Sequence, residues 1–411
     1  MIIEPKEVMT FFEENDVKFI RLAFSDAFSV QKNISIMPSE MKRAMTTGIH
    51  IESTSIEGKN CDRRKHLYLF PDLTTATLLP WRPSTGRVVR FFCDIKYADG
   101  TPYELDCRHM LKKAVRYLLK NGVSCTVGAE CEFYLFKTDD NGNSTGVPFD
   151  NGTYLDAEPR DKGQNVRREI CLTLENMGVS PESSHHEAGP GQNEIDFRYS
   201  DPVTSADNVI TLKSVVETIS AQHGLFATFA PKPLENHEGN GFHVNLLPYK
   251  MNENEDSIRD SFVAGILSHC HEMTAFLNPS RESYLRLGEH NAPSYVTWAE
   301  ENLGQLIRIP LTTGGRRESV ELRSPDSHAN PYVVYTLLLM AGYEGVVKGY
   351  KLPEAIDFNW KDASAQQLQE LKRLPTSFEE AIEIAKSSCF IKSVLPPQLI
   401  ELYENRNIYN D

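Results

Sequence analysis

Short amphipathic elements fill the first quarter of the chain and longer ones fill the rest. Val8, Phe11 and Phe12 recur at helical spacing and predict a helix over Pro5 to Glu14. Val17 to Phe24 and Ser29 to Ile36 predict strands joined by a turn at Ser25-Asp26-Ala27. Pro38 to Thr46 reads as a helix, with Pro38 near its start and Gly48 just past its end. Leu67 to Phe70, Thr75 to Leu79 and Val88 to Ile95 are further strand candidates, and the Ala98-Asp99-Gly100 turn follows the last. Residues 1–103 therefore predict a small α+β domain on an antiparallel or mixed sheet.

From Tyr103 onward the periods run longer. His109 to Lys120 predicts a helix closed by Asn121-Gly122, and Ser124 to Lys137 a long strand. Ala206 to Gln222 and Ile258 to Leu277 predict helices, and Arg317 to Ser324 a strand. Pro331 to Gly349 is apolar on most sides, as expected of a helix buried on several faces. Gln366 to Lys386 is charged and peripheral, and Pro375 is expected to divide it. No internal repeat or low-complexity linker intervenes. Residues 1–103 and 104–411 are expected to form two domains that pack as one body.

Charge narrows the function. The chain has 411 residues and a formal net charge of −14, which argues against a nucleic-acid binder or a polybasic membrane anchor. No apolar run approaches the ~18 residues of a membrane span, and no signal-like leader is visible at the start. The eight cysteines are scattered with no Cys-x-x-Cys pair. They read as reduced thiols of a cytoplasmic protein.

The candidate chemistry is carboxylate chemistry. Glu130 and Glu132 lie two apart in the long strand, so they share a face. Two such carboxylates repel unless cations lie between them; taken alone, such a pair is usually a solvated strand face. Glu187 and Glu194 flank a Gly- and Pro-rich turn, which either folds both onto one site or is an ordinary hairpin loop. Gly239-Asn240-Gly241-Phe242-His243 permits close backbone approach to a ligand before His243 enters a strand, although a lone histidine is more often a satisfied core group. Glu321-Leu322-Arg323 again puts two charges on one strand face, for function or as a cross-strand ion pair. Together these groups make a hard, oxygen-rich site suited to Mg²⁺ or Mn²⁺ rather than zinc. There are enough ligands for two metals, which suits phosphoryl transfer. No Gly-x-x-x-x-Gly-Lys loop or dinucleotide fingerprint is present, so any nucleotide binds through another architecture.

In chain order these segments resemble the glutamine synthetase family, type I, over nearly the whole sequence. The matching stretches include Gly128 to Phe133, His186-Glu187 with Gln192 and Glu194, and Ala206-Asp207-Asn208 with Lys213. Thr228 to Pro233, Gly239-x-Gly241-x-His243, Arg308-Ile309-Pro310, Glu321 to Asp326 and Asn330-Pro331-Tyr332 match too. Pro71-Asp72 and Pro80-Trp81 match landmarks of that family's N-terminal β-grasp domain. The resemblance implies an α+β fold: a β-grasp domain followed by a catalytic domain with a curved antiparallel sheet and helices. It implies that Glu132, Glu187 and Glu194 hold one metal, and Glu130, His243 and Glu321 a second that bridges nucleotide phosphates. Arg286 and Arg323 would grip glutamate and the moving phosphoryl group, with Gly239, Glu132 and His243 beside the substrate. Tyr199 would face adenine, and Arg308 would contact ATP phosphates. The implied reaction joins glutamate to ammonia or another amine through γ-glutamyl phosphate. Family members stack two hexameric rings, and the β-grasp domain of one subunit completes the site of the next.

The chain also departs from the family. Leu303 and Ser319 stand where arginines are expected at the phosphoryl group and the nucleotide phosphates. Asn245 and Leu247 replace a histidine and a serine of the nucleotide site. Asn291 replaces the flap glutamate that helps deprotonate ammonium, and Glu52 stands where an aspartate helps bind it. An arginine at a phosphoryl transition state is worth ~10³–10⁵ in rate. Arg316 and Arg317, beside Gly314-Gly315, are candidate substitutes. Three readings follow: a glutamine synthetase with compensated losses, a γ-glutamyl ligase for a different amine, and a binding or structural member with impaired catalysis.

Overall fold

The computed structural model describes residues 4–58, 65–251, 256–310, 319–358 and 362–406. The first unit comprises α1 (Pro5–Glu14), β1 (Val17–Ser25), β2 (Gln31–Ile36), α2 (Met41–Thr46), β3 (Ile49–Glu52), α3 (Thr54–Glu57), β4 (His66–Pro71), β5 (Thr77–Leu78) and β6 (Arg87–Lys96). Its sheet runs β2-β1-β6-β4-β3, with β5 also on β6. The β1–β6 pair is parallel and the others antiparallel, so the sheet is mixed. Strand β3 and helix α3 are too short to announce themselves by periodicity. The strand expected over Thr75 to Leu79 shrinks to β5, because Asp72 caps a 3-10 turn at Leu73–Thr75 by accepting from the Thr74 N–H.

The second unit opens with α4 (Cys107–Lys120), β7 (Val123–Thr138), β8 (Ser144–Pro148), α5 (Gln164–Asn176), β9 (Pro181–His186) and β10 (Gln192–Ser200). It continues through α6 (Pro202–Gln222), β11 (Leu225–Thr228), β12 (Phe242–Lys250), α7 (Asp256–Leu277), α8 (Ser283–Arg286), β13 (Trp298–Ala299) and β14 (Ile307–Arg308). It closes with β15 (Val320–Leu322), α9 (Pro331–Lys348), α10 (Ala365–Gln369), α11 (Phe378–Ser387), α12 (Cys389–Val394) and α13 (Pro397–Glu404). The strand predicted over Arg317 to Ser324 is β15, shorter than expected, and residues 311–318 lie outside the described residues. The charged stretch around Pro375 does divide, into α10 and α11.

The large sheet runs β13-β14-β15-β12-β7-β10-β9, with β8 and β11 also on β7. Strand β7 organises it. Its odd positions, Cys125, Val127, Ala129, Cys131 and Phe133, are buried and apolar. Its even positions include Glu130 and Glu132. Phe242 of β12 stacks on Tyr335 of α9, so the next residue, His243, turns to the carboxylate side. Helix α9 is built for burial: the Asn330 side chain accepts from the Tyr332 N–H, Pro331 opens it, and Gly349 ends it at φ +62.

A charge cluster joins the two units. Arg108 of α4 donates to Asp207 of α6 from Nε, to Oδ1 at 2.9 Å and Oδ2 at 3.2 Å, and from Nη2 to Oδ2 at 2.8 Å. Its Nη1 reaches Asp72 at 3.0 Å and Asp94 at 3.3 Å in the first unit. Lys112 Nζ donates to the same two carboxylates at 2.8 Å each. Among the described residues, no helix is long and apolar enough to cross a membrane.

Candidate functional site

Strand pairing collects the candidate ligands into rows across the sheet. Glu194 of β10 sits opposite Glu132, and Asp196 opposite Glu130. His243 of β12 faces Glu130 from the other side. Glu321 of β15 pairs with Asn245, and Arg308 of β14 with Glu321. Period-two alternation puts the charged members of these rows on one face. Residues far apart in sequence thus become neighbours through register alone.

The face has two electrostatic halves. In one, Glu130 Oε2 lies 3.1 Å from His243 Nδ1, and its Oε1 accepts from Asn245 at 2.7 Å. Burial pushes the Glu130 carboxyl up, but the bond and charge of His243, with Asn245 and Arg323, outweigh it and hold it low. Glu321 accepts from Arg308 Nη1 at 2.8 Å and is also bonded by Arg323 Nη1. The cross-strand ion pair is therefore real, between Arg308 and Glu321.

In the other half, Glu132, Glu187 and Glu194 meet with weaker compensation, from His185 and His243 at 3.5–3.8 Å. Glu132 Oε2 accepts from the Gly241 N–H at 2.8 Å and from Gln192 at 3.0 Å. Burial raises the Glu194 carboxyl well above its ordinary range, and the charges of Glu132, Asp196 and Glu130 raise it further. Burial and the Glu132 charge raise Glu187 as well. Buried carboxylates that resist ionisation and face one another fit a divalent cation, whose charge reverses the repulsion. Glu130, Glu194 and His243 bring ligand atoms within 4.8 Å of one another, as do His185, Glu187 and Glu194. Oxygen donors with imidazole suit a hard divalent ion.

Sequence reasoning missed His185 and Asp196. His185 lies 3.5 Å from Glu187 and 3.8 Å from Glu194. It sits two residues before Glu187, and the same period-two rule that paired Glu130 with Glu132 would have found it.

A cavity of about 110 Å³ opens beside these carboxylates, lined by Glu132, Glu187, Gly239, His243, Arg286 and Arg323 together with Glu238 and residues 289–292. Arg286 is buried and donates to the Ser324 and Arg323 carbonyls at 2.9 and 3.2 Å. Burial lowers its pKa despite the nearby Glu132. The glycine turn must be bare: a Cβ on Gly241 would sit 2.6 Å from His243 Nε2 and 3.0 Å from Glu132 Oε1. A larger cleft, about 710 Å³ between α4, α9 and the α12–α13 turn, holds none of these groups.

Other expected residues fall around this centre. Tyr199, at the end of β10, is 40% exposed and bonds Ser319; burial pushes its phenol up to about 12. Leu303 is exposed, and its carbonyl accepts from Arg323 Nε at 2.9 Å. Asn291 lines the cavity. Glu52 does not: it is exposed on β3, the edge strand of the first sheet, and among the described residues none before Glu132 lines the cavity. Arg316 and Arg317 lie outside the described residues.

Known proteins resemble this chain over most of its length. The family model for the glutamine synthetase catalytic domain matches residues 104–407, and that for the glutamine synthetase β-grasp domain matches residues 16–98. The glutamine synthetase of Clostridium saccharobutylicum is 39% identical over 403 residues, covering 95% of this chain and 91% of that protein. That of Methanosarcina mazei is 38% identical over 411 residues, covering 97% and 92%. A solved GmaS/ADP complex superposes with a TM-score of 0.87 at 24% identity, over 97% of this chain and 94% of that one. Ligand-free GmaS superposes at 0.85 and 23% identity, with the same coverage. At that identity the likeness speaks to the fold.

Proposed function

The chain belongs to the glutamine synthetase family, and from that premise we propose that it is an ATP-dependent ligase forming a γ-glutamyl amide from glutamate and ammonia or another amine. The observation that carries this reading is the row of Glu132, Glu194, Glu130 and His243 across three strands, with Arg286 and Arg323 lining the adjoining cavity. Glu132, Glu187 and Glu194 would hold one Mg²⁺ or Mn²⁺, and Glu130, His243 and Glu321 a second. Bound there, the metals would neutralise phosphate charge. Arg286, Arg323 and the Gly239 backbone would hold glutamate. Tyr199, Asn245 and Arg308 would hold ATP, with Arg316 as a candidate further contact.

In the first step the γ-carboxylate attacks the terminal phosphorus of ATP, and the breaking O–P bond leaves its electron pair on ADP. In the second, the amine nitrogen attacks the γ-carbonyl carbon and phosphate departs with the C–O electron pair. Arg308 and Arg323 are paired with Glu321; released from it by a metal on that carboxylate, their guanidinium groups would meet charge that Leu303 and Ser319 do not. Those two replacements favour a second reading, in which the protein binds metal and amino acid but transfers phosphoryl groups poorly.

Like others of its family it would assemble, as two stacked hexameric rings in a cytoplasmic setting. Among the described residues none of the first domain lines the cavity, and Glu52 is exposed on an edge strand; both support a site completed by a neighbouring subunit. A monomeric mass at micromolar concentration would contradict this. The decisive assay is phosphate release from ATP with Mg²⁺ or Mn²⁺ and glutamate, across ammonium, methylamine, ethanolamine and putrescine. Blanks lack glutamate or amine. Release with ammonium above the blanks makes it a glutamine synthetase. Release only with an organic amine makes it a ligase for that amine and ties Asn291 and Glu52 to amine choice. No release, with metal still bound, favours the impaired reading.

A further inference from the structure

An amide cannot serve as a base at neutral pH, so Asn291 leaves the amine without a proton acceptor at that position. The same turn offers another. His290 and Glu238 both line the cavity that holds Arg286 and Glu132. His290 Nδ1 lies 3.2 Å from Glu238 Oε1. Glu238 is anchored to the central strand, because Tyr134 Oη donates to its backbone carbonyl at 2.7 Å. His290 also adopts φ +47, a left-handed conformation that is strained for a non-glycine residue. Such strain persists where a side chain is wanted in a fixed place.

We propose that His290, oriented by Glu238, is the proton acceptor for the attacking amine. The inference rests on the ligase reading above. With its proton on Nδ1, the nitrogen that faces the Glu238 carboxylate at 3.2 Å, the ring keeps its lone pair on Nε2, the arrangement of an oriented general base. Nε2 takes one proton from the ammonium form, and the freed nitrogen pair makes the C–N bond to the γ-carbonyl carbon. The C–O bond to phosphate breaks with its electron pair, and the departing phosphate takes the second surplus proton. Glu238 and Glu289 are the carboxylates at this end of the cavity, and Lys232 and Arg286 the cations.

The test is His290→Gly, since glycine adopts the positive φ without strain and keeps the turn. Two nucleophiles are compared: ammonium or methylamine, whichever the wild type turns over faster, and hydroxylamine, which is mostly neutral near pH 7 and needs no base. The variant should lose ~10²-fold or more with the basic amine and less than tenfold with hydroxylamine. Added imidazole should restore part of the loss, more as pH rises and free imidazole becomes neutral. Glu238→Gln should lose less than His290→Gly, in the same direction. Equal losses with both nucleophiles and no rescue would make His290 a structural residue and overturn the proposal, as would no loss at all. A wild-type chain forming neither amide nor hydroxamate overturns the ligase reading with it; an active wild type without the contrast overturns this inference alone.

Discussion

At the seam between the domains, Asp72, Asp94 and Asp207 converge on Arg108 and Lys112; on the sheet face, Glu132, Glu187, Glu194 and Asp196 converge largely on one another. Both groups are carboxylates buried or half-buried between elements remote in sequence. Burial raises the Asp72 carboxyl, but the Arg108 charge and the Lys112 bond overcome it and hold it far below its usual range. At Glu194 the neighbouring charges add to burial instead. A fold that balances one cluster with its own cations and leaves the other unbalanced is built to receive a cation at the second. The same contrast recurs within the site, where Arg308, Arg323 and His243 already compensate Glu321 and Glu130. Metal should therefore bind more tightly among Glu132, Glu187 and Glu194 than at Glu130, His243 and Glu321.

The largest effect should come from the unbalanced cluster. Glu187→Gln should abolish the tighter class of Mn²⁺ sites in a calorimetric titration and lower ligase turnover on the order of 10³-fold, or about 4 kcal/mol. Its thermal stability without metal should not fall. Unchanged stoichiometry would remove Glu187 from the metal set. The balanced cluster should answer in the opposite way. Arg108→Met takes the guanidinium from Asp207 and leaves Asp72 and Asp94 to Lys112 alone, and breaking a buried pair costs ~3–5 kcal/mol. Chemical denaturation should register that loss while the folded variant keeps its metal stoichiometry. A variant as stable as the wild type would mean that the seam does not depend on this arginine.

The sequence disclosed the two clusters unequally. Glu130 and Glu132 were legible because strand period is local, and Glu187, Glu194 and His243 because turns and glycines flank them. The row that brings Glu194 opposite Glu132 depends on β10–β7 register, which no local pattern encodes. Arg108 to Asp207 spans 99 positions; Ala206-Asp207-Asn208 belongs to the resemblance, but no local pattern marks Arg108 as its partner. The family resemblance supplied site roles that spacing alone could not. It also drew attention to Asn291 and away from His290, whose pairing with Glu238 depends on how two loops meet.

The smallest effect separates the clusters by pH. A depressed carboxyl stabilises the fold above its unfolded value, ~3.9 for aspartate, and that contribution is lost as pH falls through the lower folded value. Asp72→Asn should thus cost about 2 kcal/mol near neutral pH, the size of a charge-assisted hydrogen bond. The gap to the wild type should close as the pH drops below 4. A raised carboxyl has the reverse sign: its contribution is present below the unfolded value and disappears as pH rises through the higher folded one. In chelator-treated protein, Glu194→Gln should therefore gain on the wild type as pH increases from 4 to 8, and saturating Mn²⁺ should erase the gain. Opposite slopes, measured by urea unfolding on the two variants, would mean that one cluster is finished by the chain and the other by an ion. Parallel slopes would mean that the folded chain balances both.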